Sequence, residues 1–133
     1  MEPLNVLHRK ILRIITHSDF KCSAIPLFYN LKILTITDIY NLNLAIQFHN
    51  IINNKFTGIN NLIALNNSHN YNTRLATSNN FYQSFSRTNL GLSTHTSAGI
   101  KFWRTIPNDL KSSNLSTFKF KLKKLLIDKY NQL

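Results

Sequence analysis

The chain has 133 residues, a length that fits one domain with a modest core. Its hydrophobic fraction of 43% is that of an ordinary globular protein, which excludes a chain that is disordered throughout. Sixteen Lys and Arg against five Asp and Glu give a formal net charge of +11, so about eleven cations must face water or an anionic partner. This charge favours nucleic acid or an anionic membrane surface as the partner.

The single cysteine, Cys22, excludes an internal disulfide and is typical of a protein in a reducing compartment. The N-terminus lacks the apolar run of a signal peptide, and no apolar run is long enough for a transmembrane helix. From these features we expect an intracellular chain, in the nucleus or the cytoplasm, with no membrane partner.

The residues that follow Pro3 predict an amphipathic first helix. Its apolar residues recur at helical spacing and share one face: Leu4, Leu7, Ile11, Ile14 and Ile15. Arg9, Lys10 and Arg13 fall on the opposite face, with no acid one turn away to pair with them. They form either a solvated surface or an edge that faces phosphates, and the missing acids favour the second interpretation.

A short helix should begin at Pro26, and a longer one should run to Ile52 from an N-cap at Thr37 or Asp38. Apolar residues lie almost all round this longer helix. It is therefore central in the fold or covered by another polypeptide, and we interpret it as the core helix.

The middle of the chain is rich in Asn, Ser and Thr. Residues 57–80 predict a polar loop, and the alternating pattern of residues 81–96 predicts a β-hairpin. Arg74 and Arg87 lie here with no acidic residue between them. Either both arginines face something anionic, which we favour, or they cap helix carbonyls inside the fold.

The last third predicts a helix that ends before Pro107 and a final helix from Leu115. Trp103 is expected in the core. Phe120 and Ile127 fall on the side of the final helix away from its apolar stripe, near Lys123 and Lys124. These two residues are either stray surface hydrophobes or a second docking surface, apolar in the middle and basic at the rim.

The residues that could carry chemistry are scattered. The five carboxylates form no close pair, the five histidines and Cys22 show no metal-ligand spacing, and three glycines exclude a phosphate-cradling loop. We therefore expect no catalysis by this chain alone, no metal, no cofactor and no small-molecule substrate.

Binding remains. Cations concentrate in the second half of the chain with aromatic residues between them, a pattern that suits single strands or structured RNA. The predicted protein-docking residues are Phe120 and Ile127. The predicted nucleic-acid-binding residues are Arg9, Arg13, Arg74, Arg87, Lys101, Arg104, Lys119, Lys123 and Lys124.

The predicted fold is mainly α: one small helical domain over 1–133 with one β-hairpin packed on it (α+β). Its parts are a helical part over 1–56, the polar loop over 57–80, the hairpin over 81–96 and the C-terminal helices over 97–133.

Several segments, taken in order, resemble one family. "LRIIT", "PLFYNLKILTITDIY", "HNYNTR" and "RTNLGLSTHTSAGIKFWRTIPNDLKSSNLSTFKFKLKKLL" are similar to the region after the polymerase core in LINE-type, non-LTR retrotransposon reverse transcriptases of the jockey-like superfamily. The resemblance covers nearly the whole chain. Arg104 departs from it, because that family usually has Asn after the Trp.

The resemblance implies a thumb and post-polymerase segment of an RNA-directed DNA polymerase. The family's Y/F-x-D-D turn is missing, so the segment would not catalyse polymerisation itself. The implied role is to help hold template RNA or target DNA, with nucleic acid and the polymerase core as partners. Two alternatives stay open: a structural docking module that packs on the polymerase core, and a decayed fragment without activity.

Overall fold

The computed structural model describes residues 2–53, 80–83, 85, 87–92 and 94–131. The helices in these ranges are α1 (Glu2–Ile15), α2 (Ile25–Asn30), α3 (Ile36–Ile52), α4 (Asn89–Leu92), α5 (His95–Thr105), α6 (Asn108–Lys111) and α7 (Leu115–Asp128), followed by a 3-10 turn (Lys129–Asn131). The prediction of a mainly helical fold is confirmed. Among the described helices, none combines the length and the hydrophobicity needed to cross a bilayer.

The hairpin predicted over residues 81–96 is not supported, because the described residues of that range contain no β-strand. Helix α4 occupies the position of the second strand. Side-chain oxygens start the helical turns there: Gly91 N–H donates to Thr88 Oγ1 at 3.2 Å, and Ser97 N–H donates to Thr94 Oγ1 at 3.5 Å. These caps satisfy backbone donors locally, so the alternating pattern does not form a ladder. The predicted loop over 57–80 lies outside the described residues except for Asn80.

The chain divides into two compact units. The first contains Met1–Leu42 and Lys119–Leu133, and the second contains Asn43–Phe118. Both boundaries fall inside helices, one within α3 and one within α7.

An aromatic cluster forms the core of the second unit. Trp103 is 0% exposed, which confirms its predicted place in the core. Its ring centroid lies 5.8 Å from that of Phe118 and 6.2 Å from that of Phe81, and Phe81 meets Phe48 edge-on at 4.9 Å. Each such ring pair contributes about 0.5–1.5 kcal/mol beyond its buried area.

His49 belongs to the same core, and both of its ring nitrogens have hydrogen-bond partners. The His49 ring stacks on Phe118 at 4.5 Å, and its Nε2 lies 2.8 Å from the carbonyl oxygen of Ser113. A carbonyl only accepts, so Nε2 carries the proton and Nδ1 accepts from the Asn53 amide at 3.2 Å. His49 is therefore a satisfied core residue of α3.

Gly99 permits close packing between α5 and α3. A Cβ atom at this position would lie 2.5 Å from Phe48 Cε2, well inside van der Waals contact. We predict that Gly99→Ala lowers the free energy of unfolding by about 1–2 kcal/mol, since overpacking outweighs the gain in helix propensity. Urea denaturation measures the effect. The cost should shrink when Phe48 is also replaced by leucine, and additivity of the two substitutions would contradict the contact.

In the first unit, a network of hydrogen bonds caps the start of α3. Thr35 is the N-cap, because Asp38 N–H donates to Thr35 Oγ1 at 3.2 Å and that hydroxyl donates to Asp38 Oδ2 at 2.7 Å. The N-cap prediction of Thr37 or Asp38 was wrong by two or three residues. Tyr130 reaches the same site from the 3-10 turn: its hydroxyl donates to Asp38 and accepts from Thr35 N–H at 3.0 Å.

Helix α1 buries only part of its apolar side. Leu12 is buried with Ala24 and Phe28, whereas Ile14 is 72% exposed and Ile15 is 61% exposed. The remaining residues of the predicted apolar face are also exposed: Leu4, Leu7 and Ile11. An apolar face of this kind normally packs against something.

Candidate nucleic-acid interface

A groove of about 660 Å³ lies in the first unit, between the C-terminal end of α2 and one side of α7. Its volume is in the range of sites that take small ligands, roughly 300–1,000 Å³. We call it the α2–α7 groove. Its lining residues are Tyr29, Asn30, Lys32, Phe120, Lys123, Lys124, Ile127 and Asp128.

The packing of α7 determines which of its residues reach the groove. Phe118, Leu122 and Leu126 recur every four residues and are buried. This stripe turns the other sides of the helix outward, so Phe120 is 72% exposed while Lys123 and Lys124 are exposed beside it. Ile127 is only 9% exposed and lies at the inner side of the groove.

The end of α2 brings a lysine to the same groove. Helix α2 ends in a Schellman motif: Ile33 N–H donates to Phe28 O and Lys32 N–H donates to Tyr29 O, each at 3.0 Å. The motif places Lys32 at φ 53, in the left-handed region that glycine normally occupies. A non-glycine residue there costs about 1 kcal/mol. Strain of this kind often marks a functional position.

A glycine at position 32 should change the stability of the chain and its binding in opposite directions. We predict that Lys32→Gly raises the free energy of unfolding by roughly 0.5–1 kcal/mol, because glycine adopts this backbone conformation without a Cβ clash. The same variant should bind an anion in the groove more weakly, because the groove loses one ammonium group. Chemical denaturation and a binding titration on the same preparation test both parts. Lower stability would contradict the backbone argument, and unchanged binding would remove Lys32 from the interface.

The structure brings some predicted site residues together and separates others. Lys123 and Lys124 join Phe120 and Ile127 in the α2–α7 groove, whereas Lys119 is exposed on α7 without lining it. Arg9 is exposed on α1. Lys101 and Arg104 are exposed on α5 and Arg87 precedes α4, all in the second unit. Arg74 lies outside the described residues.

Arg13, predicted to face phosphate, makes contacts within the chain. Its Nε and one terminal nitrogen donate to the carbonyl oxygen of Cys22 at 3.1 and 2.9 Å, and its guanidinium carbon lies 5.7 Å from the Phe20 ring centroid. The side chain therefore fixes the turn after α1, and this contact competes with any phosphate contact.

The α2–α7 groove also contains residues that the sequence did not predict as part of a site: Tyr29, Asn30, Lys32 and Asp128. Three of them lie at the end of a short helix, where the spacing of residues gives no sign of a partner on a distant helix. The approach of these residues to α7 arises from tertiary packing, which no sequence pattern reveals.

Lys111 is a buried cation in the second unit. Its Nζ donates to Asn80 Oδ1 at 3.0 Å and lies 5.6 Å from the Trp103 ring centroid. Burial lowers the pKa of the Lys111 ammonium from its ordinary value of 10.5. In the first unit, burial and then the hydrogen bond to Asp38 raise the pKa of the Tyr130 phenol from its ordinary value of 10.0.

These two pKa changes act on stability in opposite directions at alkaline pH. A lowered lysine pKa means that the folded state binds fewer protons, so Lys111 adds stability as pH rises toward 10.5. A raised tyrosine pKa means that the folded state holds its proton longer, so the Tyr130 contribution is present below pH 10.0 and lost above it. Between about pH 8 and pH 11, stability should therefore fall more steeply for Lys111→Met, and less steeply for Tyr130→Phe, than for the parent chain. Urea titrations across this range measure both slopes; the reverse order would contradict the assignment.

Within the described part of the chain, no group of three or more His, Cys, Asp or Glu residues is placed to hold a metal ion. Comparison of the chain with protein-family models, curated protein sequences and solved structures gives no match.

Proposed function

We propose that this chain is a non-catalytic nucleic-acid-binding segment and that the α2–α7 groove is its binding site. The observation that carries the proposal is the convergence of Lys32, Lys123 and Lys124 on one groove, in a chain with a net charge of +11. Lysines that converge from two elements form a local field that attracts an anion. Phe120 and Tyr29 place aromatic surface inside the same groove.

The lysines supply affinity by neutralising phosphates. Each neutralised phosphate releases condensed counterions, so the logarithm of the association constant falls linearly with the logarithm of the salt concentration. Contacts from three lysines predict a slope of about −2 to −3. The rest of the positive field raises the rate of encounter without fixing the position of the ligand.

The ordered resemblance supports a more specific proposal. In this proposal the chain is the C-terminal segment of a non-LTR retrotransposon reverse transcriptase, and it helps to hold template RNA or target DNA while the polymerase core supplies the chemistry. Gly99 and Trp103, two positions of the resemblance, pack in the core of the second unit. Arg104 is exposed, where a phosphate contact is open to it.

Filter binding across a range of salt concentrations tests the proposal. The expected result is micromolar or tighter binding of a 20-nucleotide RNA or DNA at low salt, with the negative slope given above. Affinity that does not change with salt, or no binding at micromolar protein, would overturn it. An equimolar basic peptide of random sequence and the same net charge serves as the control for binding by charge alone.

A second candidate is docking on the polymerase core, and the exposed apolar face of α1 favours it. This role predicts that Leu7→Ser and Ile11→Ser on α1 weaken association with a co-expressed thumb-and-palm fragment. Lys123→Ala and Lys124→Ala should leave that association unchanged. A fragment that does not associate at all would count against docking and leave the groove proposal intact.

A further inference from the structure

The α2–α7 groove has an exposed ring beside its cations. Phe120 is 72% exposed, and its neighbours in the groove include Lys123 and Lys124. A phosphate contact alone does not use an aromatic ring, because a phosphate group has no flat apolar surface to cover it. The ring therefore points to a ligand that carries a flat, unsaturated group next to an anion.

A second aromatic residue lines the groove from the other helix. Tyr29 is half-buried at the end of α2 and lines the groove together with residues of α7. Nucleobases stack on such rings, and each stacked base adds about fivefold to 150-fold in affinity. In a duplex both faces of a base are covered by its neighbours, so only an unpaired base stacks in this way.

An acidic peptide carries anions for the lysines, but it has no base that could stack on Phe120. Asp128 adds a carboxylate to the groove that the lysines line. The same carboxylate accepts a hydrogen bond from an exocyclic amino group, which cytosine, adenine and guanine carry and uracil and thymine do not. Asn30 adds an amide that both donates and accepts at a base edge.

We propose that the α2–α7 groove holds a single-stranded segment, with an amino-bearing base stacked on Phe120 and the adjacent phosphates on Lys123 and Lys124. This inference rests on the proposed function and adds the class of substrate. The groove selects unpaired over paired strands through Phe120, and it selects bases with an amino group through Asp128.

Fluorescence anisotropy with labelled oligonucleotides tests the selection for unpaired strands. The parent chain should bind a single strand of mixed A and C about tenfold more tightly than a duplex with the same number of phosphates. Phe120→Leu should reduce single-strand affinity about fivefold or more and leave duplex affinity unchanged, whereas Phe120→Tyr keeps the selection. Equal affinity for both forms, or equal loss of both in Phe120→Leu, would overturn the inference while the proposed function stands.

Two further measurements complete the test. Oligo(A) and oligo(C) should bind more tightly than oligo(U). Asp128→Asn should change the ratio of the oligo(A) or oligo(C) affinity to the oligo(U) affinity. A variant that keeps the ratio of the parent chain would overturn the role of Asp128. Poly-glutamate of matched charge should displace the single strand poorly. Displacement as strong as by oligo(C) would identify an acidic peptide as the ligand. If neither single strand nor duplex binds, the proposed function itself fails.

Discussion

Trp103→Ala should lower the free energy of unfolding by about 3–5 kcal/mol, the usual cost of removing a large aromatic side chain from a packed core. Trp103 is fully buried, and its ring packs against those of Phe48, Phe81 and Phe118. The substitution also removes the ring under the Lys111 ammonium. The substitution leaves a cavity between the rings of Phe48, Phe81 and Phe118. These rings can fill the cavity only in part.

Urea denaturation followed by circular dichroism measures this loss, since the variant has no tryptophan to report by fluorescence. Phe120→Ala is the matched control: it removes another ring, but an exposed one, and should change stability by less than about 0.5 kcal/mol. A loss below about 1 kcal/mol for Trp103→Ala, or similar losses for both variants, would contradict the assignment of the core.

Replacing Lys123 and Lys124 together with alanine should weaken nucleic-acid binding at low salt by roughly tenfold to a hundredfold. The double variant removes two of the three lysines of the α2–α7 groove. Each lost phosphate contact lowers the salt slope by about 1, so the slope should become shallower by about 2. Stability should change little because both side chains are exposed.

The double variant has a close control on the same helix. Lys119 and Lys121 are also exposed on α7 and do not line the groove. Replacing these two with alanine removes the same charge from the same helix, so it measures the effect of the general positive field. Equal losses in the two double variants would show that charge alone binds the ligand and that the groove has no special role.

The helices could be predicted because the patterns that indicate them involve residues close together in the sequence. Helix α5 ends at Thr105, as Pro107 predicted, and α7 begins at Leu115, where the final helix was expected. Period-two alternation over 81–96 predicted strands, and the described residues of this range contain none. A short alternating run also suits helical turns, and the Thr88 and Thr94 caps decide between the two.

The candidate site depended on contacts between distant parts of the chain. The sequence predicted a basic rim around Phe120 and Ile127, and the structure places Lys123 and Lys124 beside them. The sequence did not predict the contribution of α2, since the approach of residues 29–32 to residues 120–128 arises from tertiary packing. For the same reason, helical spacing could not reveal that α1 leaves most of its apolar face exposed.

Photo-crosslinking shows directly whether the α2–α7 groove is the binding site. The full chain is irradiated in complex with a single-stranded oligonucleotide of A and C, and the attached peptides are identified by mass spectrometry. Attachment is expected at Tyr29 or Phe120, abolished by an excess of unlabelled single strand and reduced in the Lys123→Ala, Lys124→Ala variant. Attachment only at other sites, such as the α5 segment that contains Lys101 and Arg104, would contradict it.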